Sequence, residues 1–463
     1  MTKRYEINMC EGPLFSKLIL FALPLMLSSI LQLLYNAADV VVVGQCAGET
    51  ALAAVSSTGA LINLITTLFI GLSVGVNVAT ARFFGAKNHR GIYETVHTAM
   101  LISIIGGVVV GLIGFIFCRT FLVWMSSPKN VIDQATLYMR IYFLGMPASM
   151  IYNFGSSILR AVGDTRRPLI YLAVSGIVNV ILNLILVIIF NLGVAGVAIG
   201  TIAAQFLSAA FVVRCLMLEK SAPFAFRPKE MHIYREKLTI ILRAGIPAGI
   251  QGSVFSLSNV LIQSSINSFG SAVMAGNGAA ASIEGFIYVA MNSIHHAALS
   301  FTGQNLGAGN IKRIKRIFLY CLLLVIAIGL LLGTLALVFG RSLLSIYESD
   351  PNIISYGMIR LRIICMTYFL CGIMDVLAGL MRGLGYSFVP MTMALLGACG
   401  LRVAWIYTFF RMTPTLECLY SSYPVSWIVT SAANIISYFV ALHLVQKRIS
   451  KSSNSESWGG VHS

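Results

Sequence analysis

The chain has 463 residues, of which 57% are hydrophobic and only 10% charged, and its mean hydropathy is +0.85. An ordinary globular domain carries about 25% charged residues, so this composition excludes a soluble protein and places the chain in a bilayer. Its 32 Lys and Arg against 16 Asp and Glu give a formal charge of +16, but the basic residues lie between apolar segments, as loops beside an anionic cytoplasmic leaflet would, so no nucleic-acid partner is expected.

A helix needs roughly 20 residues to cross the hydrocarbon core, because every backbone amide there must find an internal partner. Twelve segments qualify: Ser16 to Val43, Ala51 to Thr80, Tyr93 to Cys118, Gln134 to Ile158, Pro168 to Phe190, Gly193 to Met217, Leu238 to Asn267, Ala272 to Gln304, Ile314 to Gly340, Ser355 to Leu380, Phe388 to Phe410 and Ser422 to Val445. A transmembrane barrel would need short stretches of strict polar and apolar alternation. Runs such as LLLVIAIGLLLGTLALVFG are apolar throughout, so the expected fold is all-α. The N-terminus shows no short apolar core followed by a small-residue cleavage site, and no removable signal peptide is expected. Nine scattered Cys without a CxxC pair suggest neither a disulfide scaffold nor a zinc site.

An even number of spans puts both termini on one side. On that side fall Lys3, Arg4 and Lys17, the basic residues of the 2–3, 4–5, 8–9 and 10–11 connections, seven from Arg214 to Arg243, and Lys447, Arg448 and Lys451, together 24 of the 32. The excess assigns both termini to the cytoplasm. Seven others sit at the opposite ends, and Arg402 falls within a span.

Shifting the sequence by 222 residues superposes its halves. Gly85-Ala86-Lys87-Asn88 meets Gly307-Ala308-Gly309-Asn310, Arg140 meets Arg362, and Arg160, Gly163 and Pro168 meet Arg382, Gly385 and Pro390; Pro24 and Pro247 match with one extra residue. Six spans per repeat make the halves parallel, related by an axis along the membrane normal, a duplication that alternating-access transporters use. The expected domains are an N-terminal six-helix lobe, residues 1–217, a basic cytoplasmic linker, 218–237, a C-terminal six-helix lobe, 238–446, and a polar tail, 447–463.

Three carboxylates lie deep within spans: Asp39, Glu284 and Asp375. Each costs about 2.5–3.5 kcal/mol at a helix centre on insertion scales and so marks an interior pathway. In span 1, Gln32, Tyr35, Asn36 and Asp39 follow i, i+3, i+4, i+7 spacing and share a face. Span 5 adds Ser175, Asn179 and Asn183, span 7 Ser256, Asn259, Gln263 and Asn267, and span 8 Asn277, Glu284, Tyr288 and His295. Carboxylate and amide oxygens suit a small alkali cation, and a carboxylate also carries protons. Arg402 needs an anionic or carbonyl partner, with Asp375 or Glu284 expected. Adjacent His295 and His296 point about 100° apart on a helix, so no permanent metal is expected. Gly107/Gly111 and Gly196/Gly200 have the GxxxG spacing of close helix packing; Pro24, Pro147 and Pro247 are expected to bend their helices.

The motifs YNAADVVVVGQCAGETALAAVS, FFGAKN, LGAGN, LRAVGDTRRP, MRGLGYSFVP and GVAGVAIGTIAAQ resemble those of the multidrug and toxic compound extrusion (MATE) family across about residues 14 to 445. The resemblance implies a V-shaped pair of six-helix bundles around a central cleft, exporting cationic or amphipathic organic compounds in exchange for Na⁺ or H⁺. By the same resemblance, Asp39, Asn179 and Thr201 match an N-lobe cation site to which Asn153 adds a polar member. Asn183 stands where the family often has Asp, which leaves this lobe one carboxylate short. IMDVLAGLMRGLG makes Asp375 the acidic member of a C-lobe site; the span-7 glutamate of some relatives has no counterpart in IQGSVFSLSN, and Glu284 is the candidate to replace it. Gln32, Tyr35, Asn36, Asn259, Gln263 and Tyr288 are the expected substrate-cleft residues. The expectation is a monomeric secondary antiporter of a prokaryotic plasma membrane, working on small organic cations, without cofactor or enzymatic activity. No GxxxxGK[ST] motif points to an ATP-driven pump. The alternative is a flippase of a lipid-linked precursor from the same superfamily, which would need a cleft rich in Arg and Lys.

Overall fold

A computed structural model describes residues 5–125 and 130–458; Lys3, Arg4 and residues 459–463 of the polar tail lie outside the described residues. The helices are α1 (Leu14–Cys46), α2 (Glu49–Gly85), α3 (His89–Trp124), α4 (Ile132–Leu144), α5 (Met146–Ala161), α6 (Arg166–Leu184), α7 (Gly193–Leu218), α8 (Arg235–Asn267), α9 (Ser271–Gly307), α10 (Ile311–Val338), α11 (Gly340–Leu344), α12 (Pro351–Gly383), α13 (Phe388–Met393), α14 (Leu401–Tyr407), α15 (Phe409–Met412) and α16 (Leu416–Trp458). No strand occurs among the described residues. Each of the twelve sequence segments falls on helix, and among the described residues ten helical stretches are long and apolar enough to cross a membrane. The two others have physical reasons for falling short. The fourth is broken into α4 and α5 at Gly145, because Pro147, in the first turn of α5, has no N–H to continue the ladder. The eighth, α9, is polar: it carries Asn277, Glu284, Ser293, His295, Thr302, Gln304 and Asn305, all buried. Neighbouring segments bond several of these groups: Arg360 pairs with Glu284 and reaches Asn277, and the Met9 carbonyl accepts from Asn305.

Lipid-facing positions are apolar instead. Ile116 is 60% exposed, Leu331 61% and Ile436 67%, which in water would be a liability and in a bilayer is the required surface. The helix α16 runs on past the last expected span, as far as Trp458.

Two compact units divide the chain. One comprises residues 1–7, 23–84 and 88–249, the other 8–22, 85–87 and 250–463. In the first, α3 packs on α4 and α5, and α7 on α4, α5 and α6; in the second, α12 is the central helix, in contact with α9, α10 and α16. The repeat is visible in the turns. Lys87 and Gly309 both take positive φ, 53° and 69°. The residue after each, Asn88 and Asn310, caps the following helix by accepting from the N–H of Gly91 (2.8 Å) and Arg313 (3.3 Å), as an Asn N-cap should. Gly163 and Gly385 likewise both have positive φ, 101° and 91°. Both fifth segments contain π-helical turns, Ile185–Ile189 and Ala394–Gly400.

Candidate functional site

In the first unit the span-1 stripe divides. Tyr35 lays its ring against Gly176, where a Cβ would come within 1.9 Å of it, and donates from its hydroxyl to the Ala173 carbonyl at 3.1 Å. Asp39 is buried on the same side, whereas Gln32 and Asn36 are exposed. At 100° per residue the Tyr35–Asp39 pair is centred some 60° round the helix from the Gln32–Asn36 pair, enough to separate an inward pair from an outward one.

Asp39 is the centre of a small polar set built by three helices. Asn183 donates Nδ2 to Oδ1 at 2.5 Å. Thr201 Oγ1 lies 3.3 Å from Oδ2 and 2.9 Å from the Val197 carbonyl; one hydroxyl proton serves both, and the shorter contact takes the larger share. Asn179, with its amide turned to satisfy its neighbours, donates to Asp39 Oδ1 at 3.0 Å and accepts the Thr201 N–H at 3.3 Å. Every one of these partners is neutral. Asn183 Oδ1 is itself buried without a hydrogen bond, in a space that exists because residue 200 is glycine: a Cβ there would stand 2.0 Å from that oxygen. Tyr138 and Tyr142 of α4, stacked at 6.2 Å and 27°, stand close enough to feel the Asp39 charge. Sequence reading missed both, since tyrosines at i, i+4 on an apolar helix look like ordinary core. Asn153 lies elsewhere, donating to Ser149 O at 2.8 Å and lining a small cavity with Thr66, Phe69 and Met150.

In the second unit Glu284 is not free. Arg360 clasps it with two hydrogen bonds, Nε to Oε1 at 2.8 Å and Nη2 to Oε2 at 2.6 Å. Arg360 Nη1 continues to Asn277 Oδ1 at 2.7 Å, Asn277 Nδ2 to Gln263 Oε1 at 3.0 Å, and Gln263 Nε2 to Asn267 at 2.8 Å. Two expectations are corrected here. Arg402 does not pair with Glu284 or Asp375; it donates to Ser426 at 2.9 Å and lies 4.3 Å over the Tyr423 ring, where the weakly hydrated guanidinium finds π density instead of an anion. Arg360, counted above among residues at the outer helix ends, is 7% exposed inside α12. Its position in the sequence gave no sign of this, because Arg at a span edge usually snorkels to water.

Asp375 stands apart from that pair, fifteen residues beyond Arg360 on the same helix, about 22 Å along its axis. Tyr288 and Arg382 stand near enough to the Asp375 carboxylate to act on its charge. The Asp375 carbonyl is 2.6 Å from His295 Nδ1. Arg382 Nη2 donates to Gln251 at 2.7 Å, and its Nη1 faces His295 Nε2 at 3.5 Å. That arrangement fits a neutral imidazole donating from Nδ1. Asn259 is exposed. Among the described residues no three His, Cys, Asp or Glu side chains gather as a metal cluster.

The family model MatE matches twice, at residues 24–185 and 247–408. The chain belongs to the MatE family. Its two matches begin 223 residues apart, the same duplication that the turns record. It is 30% identical over 421 residues to "Probable multidrug resistance protein YoeA" of Bacillus subtilis (strain 168), covering 89% of this chain and 90% of that protein. With "Probable multidrug resistance protein YpnP" of the same organism it shares 28% identity over 409 residues, 88% and 90% of the two chains. The fold is that of a solved "multidrug resistance MATE family transporter of the MOP superfamily" in an outward-facing conformation, with a TM-score of 0.90 at 21% identity over 96% of this chain and 100% of that one. MatE members are membrane transporters and not enzymes, so this is a multi-pass membrane transporter built from two repeats.

Proposed function

We propose that this MatE protein is a secondary antiporter of a prokaryotic plasma membrane. It exports cationic or amphipathic organic compounds in exchange for Na⁺ or H⁺, with its repeats alternating access and both termini cytoplasmic. The observation that carries the reading is Asp39: a buried carboxylate whose hydrogen-bond partners, Asn183, Thr201 and Asn179, are all neutral. An isolated buried charge is costly unless neutralised, so this site calls for a companion cation that arrives and leaves, a proton or an alkali ion. The orphaned Asn183 Oδ1 and the Thr201 hydroxyl supply further oxygens for the ion. Asp375, with Tyr288 and Arg382 beside it, is the secondary candidate. Glu284, already neutralised by Arg360, takes a structural part. The printed names of the B. subtilis relatives support drug export as the transported class. A flippase of lipid-linked precursors is less well supported, because Arg360 and Arg402 are committed to Glu284, Asn277, Ser426 and aromatic rings and are not free to receive phosphates.

The deciding measurement is transport of ethidium by proteoliposomes under an imposed Na⁺ or pH gradient. Asp39→Asn is expected to abolish gradient-driven movement and Asp375→Asn to leave part of it. Unchanged transport in both variants would refute coupling at either carboxylate.

A further inference from the structure

Near the end of the second unit where α10 begins and the membrane-crossing part of α16 finishes, the two helices part around a cleft of about 260 Å³ lined by Lys315, Phe318, Tyr438, Leu442, His443 and Gln446. Its floor is aromatic: Phe318 stacks on Tyr438 at 4.6 Å and 10°. Its rim is polar and cationic, with Lys315 and His443 both exposed. Lys312 lies one turn before Lys315 on α10 at i−3, and Lys447 lies one turn after His443 on α16 at i+4. Tyr438 supplies the second observation. It is 1% exposed, lines the cleft, and its hydroxyl has no hydrogen-bond partner. A buried hydroxyl left unpaired is costly, so a partner from outside the chain would relieve it.

We propose that this cleft binds the phosphate and glycerol of an anionic phospholipid from the leaflet on the side of the termini. Lys315 supplies the charge, His443 and Gln446 donate N–H groups, and the Tyr438 hydroxyl donates to a headgroup oxygen. Below the cleft, Leu319 and Leu323 on α10 and Ile436 and Val440 on α16 are 52% or more exposed and give the acyl chains an apolar path. Charge above and hydrocarbon below match a lipid better than a free anion; basic pockets between helix ends hold acidic headgroups in this way. No part of the proposal depends on the coupling carboxylates.

The test is native mass spectrometry of the detergent-purified protein with phosphatidylglycerol or phosphatidylcholine of the same chain length. Phosphatidylglycerol adducts should persist on the parent and on a Lys229→Ala control, fall about tenfold in Lys315→Ala/His443→Ala and about fivefold in Tyr438→Phe, and exceed phosphatidylcholine adducts throughout. Because Lys315 and His443 are exposed, thermal unfolding without lipid should match the parent and show that the variants are folded. Equal retention by the double variant, or equal binding of phosphatidylcholine, would overturn the proposal. Displacement of the lipid by millimolar inorganic phosphate would overturn it too, assigning the site to a free anion.

Discussion

Single side chains decide what this molecule can do with charge. Arg360 and Glu284 make a bidentate pair at 2.8 and 2.6 Å, both below 10% exposure. Removing one partner of a buried pair typically costs about 3–5 kcal/mol, while replacing both with apolar residues is often neutral. Glu284→Leu is therefore expected to lower stability by about that amount, and Glu284→Leu/Arg360→Met to recover most of it, as read by thermal unfolding in detergent. Additive losses would show that the two groups do not work as a pair. Asp39 behaves oppositely, having only neutral partners, and its environment depends on a missing methyl group. In Gly200→Ala the new Cβ would stand 2.0 Å from Asn183 Oδ1. Asn183 must then swing off Asp39, with a stability loss of about 1–3 kcal/mol and weakened ion-driven transport, while ethidium binding in the absence of a gradient should persist. The sequence made Asp39, Asn179 and Asn183 visible as polar residues at helical spacing, and Thr201 only through the resemblance to the family. It left the Arg360–Glu284 pair invisible, because the two residues lie 76 apart and nothing local links them.

Elements were legible wherever apolar length alone sets the answer, and less so where backbone chemistry intervenes. The fourth segment reads as one span from Gln134 to Ile158, yet it breaks at Gly145, since a proline ladder gap is tolerated only when the freed groups find other partners. Likewise, the π turn of Ile185–Ile189 follows directly after α6, which carries Asn179 and Asn183; such turns often accompany functional positions, but no residue pattern announces them. The repeated turns offer a sharper test of element-level reasoning. Gly163 and Gly385 occupy matching places with φ 101° and 91°, a region that disfavours any residue with a Cβ. A Cβ at Gly163 would also meet the Ile7 carbonyl oxygen at 2.5 Å, while nothing lies within 4 Å at Gly385. Gly385→Ala should therefore cost only backbone strain, about 1 kcal/mol, and Gly163→Ala distinctly more by thermal unfolding. Equal losses would mean that residue 7 yields without resistance.

At the scale of the whole molecule, sidedness decides which groups each compartment meets, and the native thiols report it. The proposed topology puts both termini in the cytoplasm, on the excess of Lys and Arg on their side of the membrane. Cys46, at the far end of α1, is exposed, while Cys10 precedes α1 and is half-buried. Cys418, in the first turn of α16, is partly accessible and belongs with Cys46, and the other six cysteines are buried. A membrane-impermeant maleimide added to intact cells is thus expected to modify Cys46 and, more slowly, Cys418, but not Cys10. Comparison of Cys46→Ser and Cys418→Ser with the parent assigns the label. After permeabilisation Cys10 becomes reachable, yet it should react sluggishly. Burial raises its thiol above the ordinary range against the opposing pull of Arg313, and the reactive species is the thiolate. Its rate should therefore keep climbing with pH beyond the point where an exposed thiol has levelled off. Labelling of Cys10 in intact cells would reverse the topology.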